Sequence, residues 1–465
     1  TGTNGLSRKM VVYAENRFVK IPLGQWAAKA LQNEASALDL LSRSNIQTFG
    51  HPQLLQSHPT FYEQSEVEGA VRTVVLPPAH LAIVSEIFEM NKAVGPYTGS
   101  DLDITTDQNL GRLAASSRMP HGLLKKLQHL QLSLHGLQRV ETGAAHGDFT
   151  PWNMVQDTDG RFFVYDWESF SYGNPKGFDA FHFIMQQAIL VDRKPWKVIF
   201  DTLESQLTGV NGLFATKEEM ETYLKLYLLV HIPACMMQYT GMQHWHTQIY
   251  WMIDIWNAAL DNLKTPMLDD RQQLILSLTD HLTQYQYAGI KIPHSAPETW
   301  SSASDIDLIT DRKTIASLMD FCQAHPRVAR MDIRGRSYMT GIFLWMEDGG
   351  TLALDLIRTL KRKSVVFMDA ESIIAGATPN HHGVKIASAS DHARYIAWFY
   401  GLNHSAVPQK YSHYAVHISR SKDSADRLLS SILTGEAAAH GKLNYILTES
   451  PQNQGFKKII NTITY

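Results

Sequence analysis

The chain has 465 residues, of which 44% are hydrophobic and 19% charged, with a net charge of −3. That length exceeds what one core holds, so two to four domains are expected, and the near-neutral balance gives no field for nucleic acid. Two distant cysteines, Cys235 and Cys322, exclude a disulfide framework and a zinc ribbon, and no run of about 18 apolar residues offers a membrane span.

In chain order, residues 1–70 read as β-rich with one helix. Residues 9–14 form a strand, 15–17 a tight turn and 18–22 a second strand. Ala27, Ala30, Leu31, Leu38 and Leu41 recur at helical spacing across 25–41. Residues 50–69 add strand material centred on 60–62. From 71 to 290 the texture is helical, most clearly at 80–90, 121–137 and 217–242. One interruption spans 143–170, where strands at 153–156 and 162–165 flank a turn at 157–160. From 291 strands (305–310, 341–345, 352–357) alternate with helices (313–323, 392–400), as in a separate α/β unit joined through 293–304. The chain opens on Thr1 rather than Met, and a further strand is expected ahead of it. With no signal peptide and a reducing cysteine usage, a cytoplasmic protein is expected.

The interruption carries the chemistry. It reads Ala145-His146-Gly147-Asp148-Phe149-Thr150-Pro151-Trp152-Asn153-Met154, then Tyr165-Asp166-Trp167-Glu168. Phosphoryl transfer requires positioning and charge neutralisation more than covalent help. One carboxylate must orient a hydroxyl and take its proton. An amide oxygen and a second carboxylate must hold Mg²⁺ across nucleotide phosphates. Asp148, Asn153 and Asp166 offer those groups, and a loop followed by a tight hairpin would bring them to one wall of a cleft.

HGDFTPWN followed by YDWE resembles the catalytic and metal loops of the aminoglycoside phosphotransferase and choline kinase superfamily, a branch of the protein-kinase-like fold. The resemblance covers about residues 1–290. It implies a small-molecule kinase that uses ATP and Mg²⁺, with Asp148 as base, His146 bracing the loop, and Asn153 and Asp166 on the metal. Asp179 matches a structural aspartate. A kinase-like lobe also needs a strand lysine on the phosphates and a helix glutamate to orient it; Lys20 and Glu34 fit in order and spacing. Gly2 and Gly5 stand where a phosphate-covering loop belongs. Residues 62–69 would contact adenine. DFTPWN, DWE and FDAFHF together look most like phosphotransferases of bacterial surface-glycan synthesis. Trp152, Trp167 and Glu168 could line an acceptor pocket, although core tryptophans are the commoner outcome.

Ser304-Asp305-Ile306-Asp307 resembles the metal-binding strand of nucleotidyltransferases, with Asp355 as third carboxylate. Strand alternation places Asp305 and Asp307 on one face. The family's Gly-Ser turn is His294-Ser295 here, which crowds the phosphate path. His244, His246, His381 and His382 lack a third metal ligand nearby, and the basic run 358–363 reads as solvated surface.

The expected fold class is therefore α+β. A bilobal kinase-like domain has a small N-lobe (1–70) and a helical C-lobe (71–290), and a nucleotidyltransferase-like α/β domain follows (291–465). The expected partners are a nucleotide and a small-molecule acceptor with a hydroxyl. Two rivals stay open: chemistry in the C-terminal domain alone, and a non-catalytic scaffold that senses ATP.

Overall fold

The computed structural model describes residues 8–67, 76–264, 267–302, 304–362, 365–402 and 411. It divides into two compact units, 1–119 with 123–267, and 120–122 with 268–465.

The first unit begins with β1 (Lys9–Ala14) and β2 (Arg17–Pro22). Glu15 and Asn16 both have positive φ, the two-residue turn whose twist suits a hairpin. Helix α1 (Gln25–Arg43) buries Ala27, Leu31, Glu34, Leu38 and Leu41, a stripe at alternating spacings of four and three. Glu34 thus occupies a position that the helical period reserves for a core side chain, and a charge there must be paired. Strands β3 (Leu54–His58) and β4 (Phe61–Ser65) complete a sheet in the order β1-β2-β4-β3. Thr60, expected within a strand, lies in the turn between them. Gly2 and Gly5, and residues 68 and 69 of the 62–69 segment, fall outside the described residues, and Tyr62 is buried on β4.

Helix α2 (Pro78–Glu89), β5 (Ala93–Gly95), α3 (Asp101–Ala114) and α4 (His121–Leu134) follow. Strand β6 (Val140–Ala145) then lies between β5 and β9 (Ser171–Pro175), and the hairpin β7 (Met154–Gln156) and β8 (Phe162–Val164) separates β6 from β9 in sequence. Gly50 exchanges backbone hydrogen bonds with Phe162 and Val164, fastening the N-terminal segment to that hairpin. A Cβ at Gly50 would meet the Phe163 ring at 2.3 Å, so only glycine permits this approach. Helices α5 (Phe178–Gln186), α6 (Trp196–Leu207), α7 (Lys217–Thr240) and α8 (Thr247–Asn262) supply the remaining core, with Phe181, Leu203, Leu224, Tyr227 and Trp256 fully buried.

The second unit takes in α9 (Asp270–Leu282) and β10 (Tyr287–Ile290). The sequence reading placed these with the helical lobe and set the junction at 293–304. Instead Leu274, Ile275, Leu278, Leu282 and Tyr287 share a core with Ile306, Leu318 and Leu354. Helical texture alone does not tell which core a stripe faces. The unit continues with β11 (Ile306–Thr310), α10 (Arg312–Ala324), β12 (Val328–Gly335), β13 (Met339–Met346) and β14 (Thr351–Ile357). It ends with β15 (Leu360–Arg362), β16 (Val365–Met368), α11 (Ala370–Ala375), β17 (Thr378–Pro379), β18 (Lys385–Ile386) and α12 (Ala389–Leu402). Its mixed sheet runs β12-β13-β14-β11-β10-β18-β17. No described helix is long and apolar enough to cross a membrane.

Candidate active site

Strand β6 delivers the loop that holds Asp148. Its backbone is fixed from α5: Asp179 accepts from the His146 N–H (2.7 Å, Oδ2) and the Gly147 N–H (3.0 Å, Oδ1). Burial pushes the Asp179 carboxyl up, and His146 and these two N–H groups oppose that shift. His146 is fully buried. Its Nδ1 accepts from the Asp148 N–H (3.2 Å), so its Nε2 carries the proton and donates to the Tyr165 carbonyl (3.1 Å). One ring therefore ties the Asp148 loop to the segment that leads from β8 into Asp166.

The Asp148 carboxylate is held on both oxygens. Asn153 Nδ2 donates to Oδ2 (2.8 Å) and to the Asp148 carbonyl (2.9 Å), while His182 Nε2 lies 3.1 Å from Oδ1. With its nitrogen engaged on Asp148, the Asn153 amide turns its oxygen the other way. The Asp148 side chain is 38% exposed, open enough for a hydroxyl to reach.

Across from it, Lys20 on β2 contacts Glu34 Oε1 at 2.6 Å and Asp166 Oδ1 at 3.3 Å. Glu34 Oε2 is buried without a hydrogen-bond partner among the described residues. Asp166 itself has φ 67°, a left-handed backbone uncommon for a residue with a side chain. Lys9 on β1, which the sequence reading passed over, reaches Asp166 Oδ1 (2.8 Å) and Glu168 Oε2 (2.6 Å). Burial pushes the Asp166 carboxyl up, but the Lys20 and Lys9 ammonium groups outweigh it and hold the group at about 2. Glu168 is raised by burial and by the Asp166 charge, against the pull of Lys9. Asn33 on α1 donates to the carbonyls of Glu168 and Phe170, both at 2.9 Å, so α1 anchors this turn as well as presenting Glu34.

Among the described residues, Glu34, Asp166 and Glu168 are the group whose ligand oxygens lie within 4.8 Å of one another. Three carboxylate oxygens gathered this closely suit a divalent cation. His244, His246, His381 and His382 join no such group. Trp167 is core: it is fully buried, stacks on Phe49, packs at a tilt against His146, and donates Nε1–H to the Val164 carbonyl. It therefore cannot line an acceptor pocket. Trp152 is partly buried and passes its carbonyl to the Tyr165 hydroxyl at 2.6 Å.

In the second unit Asp307 and Asp355 pair side by side on the parallel strands β11 and β14. Asp307 is buried and ion-paired with Lys291 at 2.7 Å; burial nevertheless raises its carboxyl to about 6. Asp305 precedes the strand and is exposed. Asp305 stands one residue ahead of β11, and its charge raises the carboxyls of both Asp307 and Asp355, so the three acidic side chains are electrostatic neighbours although they do not form a group with all ligand oxygens within 4.8 Å.

Residues 5–176 match the phosphotransferase enzyme family. No curated protein matches the chain significantly. Among solved structures it is similar to choline kinase LicA from Streptococcus pneumoniae, with 13% identity over 55% of this chain and 89% of that one and a TM-score of 0.37. It is also similar to macrolide 2′-phosphotransferase MphH from Brachybacterium faecium, at 13% identity over 56% and 82% with a TM-score of 0.32. A gentamicin complex of APH(2″)-IIa gives 13% over 59% and 88% with a TM-score of 0.32.

Proposed function

We propose that the first unit is an ATP- and Mg²⁺-dependent phosphotransferase acting on the hydroxyl of a small molecule, a sugar or surface-glycan intermediate being the acceptor class that the DFTPWN and DWE motifs favour. The observation that carries this reading is the meeting of Lys20, Glu34 and Asp166 at bonding distance from three separate elements. A lysine oriented by a buried glutamate and facing a second carboxylate is what binding of nucleotide phosphates requires. The family match over residues 5–176 supports the same reaction class.

Lys20 would grip phosphate oxygens, and Glu34 keeps its ammonium pointed at them. Asp166 and Glu168, joined by the Asn153 amide oxygen, would hold the cation, which when bound neutralises charge on the phosphates. Lys9 neutralises Asp166 and Glu168 while no cation is there. Asp148 orients the acceptor hydroxyl and takes its proton as the phosphoryl group leaves ATP. A scaffold that only sensed ATP would have no use for a carboxylate held by donors on both oxygens yet open to solvent.

Nucleotidyl transfer by the second unit has weaker support. The adjacency of Asp307 and Asp355 favours it, and the ion pair that holds Asp307 on Lys291 weighs against it.

The deciding experiment is product formation from ATP and Mg²⁺ with a panel of hexoses, amino alcohols and aminoglycosides, read by mass. Asp148→Asn is expected to lose about 10³-fold or more in kcat while still binding ATP. Unchanged turnover in that variant would remove Asp148 from the reaction.

A further inference from the structure

Asp148 has a neighbour that no motif reading assigns. His182 sits on α5 one turn beyond Asp179, and its Nε2 lies 3.1 Å from Asp148 Oδ1. Behind it, His182 Nδ1 lies 3.3 Å from the Tyr227 hydroxyl on α7, and Gln186 hydrogen-bonds Tyr227 in turn. Gln186 Nε2 also reaches His231 Nε2 at 3.2 Å. His182, Tyr227, Gln186 and His231 are all buried. Such a chain is expensive to bury and stable only if every donor finds an acceptor. A neutral ring has one N–H. Facing a carboxylate, that N–H must be on Nε2, so Nδ1 accepts and Tyr227 donates to it. The arrangement is self-consistent: Gln186 to Tyr227, Tyr227 to His182, His182 to Asp148.

We propose that His182 is the positioning residue of the Asp148 base, locking the carboxylate's rotation by donating from Nε2 to Oδ1, with Tyr227 fixing the imidazole tautomer that makes this possible. Asn153 secures the other oxygen. The remaining lone pairs of Asp148 then face the incoming hydroxyl in one orientation. Asp179 and His182 are spaced to act on the same loop from a single helix face: the first grips its backbone, the second its reactive side chain. The inference rests on the assignment of Asp148 as base.

Four proteins test it: wild type, Asp148→Asn, His182→Leu and His182→Gln, assayed with ATP and Mg²⁺ against the same acceptor panel, with folding checked by circular dichroism. His182→Leu is expected to lose about 10²-fold in kcat with the KM for ATP within about twofold, since the base is misdirected and the nucleotide site untouched. The glutamine variant places an amide N–H near the position of Nε2 and restores most of the rate. Independently of turnover, the ring ¹⁵N spectrum of the wild type is expected to show His182 protonated on Nε2, and Tyr227→Phe to shift it. A leucine variant as fast as wild type, a glutamine variant as slow as the leucine one, or an Nδ1–H tautomer would each overturn the inference. If wild type and Asp148→Asn turn over equally, or neither turns over, it is the base assignment that falls, and the inference with it.

Discussion

At the residue scale the site is a balance of buried charges. Asp166 carries two ammonium neighbours, Lys20 and Lys9, which hold its carboxyl at about 2 although burial alone would raise it. A group depressed on folding contributes stability that is complete above its unfolded pKa, near 4, and disappears as pH falls through the folded value near 2. The stabilisation is of order 2 kcal/mol at neutral pH, somewhat less because Asp166 keeps contact with water. Denaturant unfolding of wild type and Asp166→Asn is thus expected to show a gap at pH 7 that narrows between pH 4 and pH 2.5. A gap independent of pH would mean that Asp166 is not paired as described. Asp148, Asn153 and Asp166, the residues proposed for the chemistry, stand out in the sequence because phosphoryl transfer calls for specific groups in a fixed order. His182 does not, because a histidine inside FDAFHF reads as one more core side chain until α5 is seen to pass beside Asp148. Lys9 escaped for the same reason, as a strand-end lysine usually points to water.

At the element scale, position comes from close approaches. Gly147 stands between His146 and Asp148 with φ +83°, and a Cβ there would lie 2.3 Å from the Ser169 carbonyl oxygen. Gly147→Ala therefore meets both the left-handed backbone and a backbone clash, and should cost at least about 2 kcal/mol while displacing Asp148. Gly160 has a nearly identical φ, +84°, but its nearest atom is an amide nitrogen 3.7 Å away. Gly160→Ala should cost only about 1 kcal/mol and leave turnover intact. Equal effects of the two would show that the clash is relieved by movement of Ser169. The helix α1 was readable from its apolar period, whereas the place of Glu34 in its buried stripe came from the structure. The pairing partner was expected from order alone, whereas the contact of Asn33 with the Glu168 turn depended on how α1 is seated.

At the scale of the whole molecule, two compact units imply two unfolding steps. ATP with Mg²⁺ at about 100 times its dissociation constant adds roughly 2.7 kcal/mol to whatever binds it, a rise of about 5–10 °C for a unit of this size. The proposed function requires that rise in the transition of the first unit, in wild type and Asp148→Asn alike. A rise in the second unit's transition instead would move the chemistry to Asp307 and Asp355.

The sequence by itself pointed to a phosphotransferase, the family that residues 5–176 match, because HGDFTPWN and YDWE are short local segments whose order follows from the chemistry. It indicated the β1–β2 and β7–β8 hairpins and helices α1, α2, α4, α7, α10 and α12 too, since turn residues and apolar periods act over a few neighbours. Only the tertiary structure decided that α9 and β10 belong to the second core, that Trp167 is packing, and that His182 and Lys9 attend the two carboxylates. Those outcomes depend on which face meets which across long stretches of chain. No local pattern encodes that, because an apolar stripe or a lone charged side chain is compatible with several partners until packing selects one.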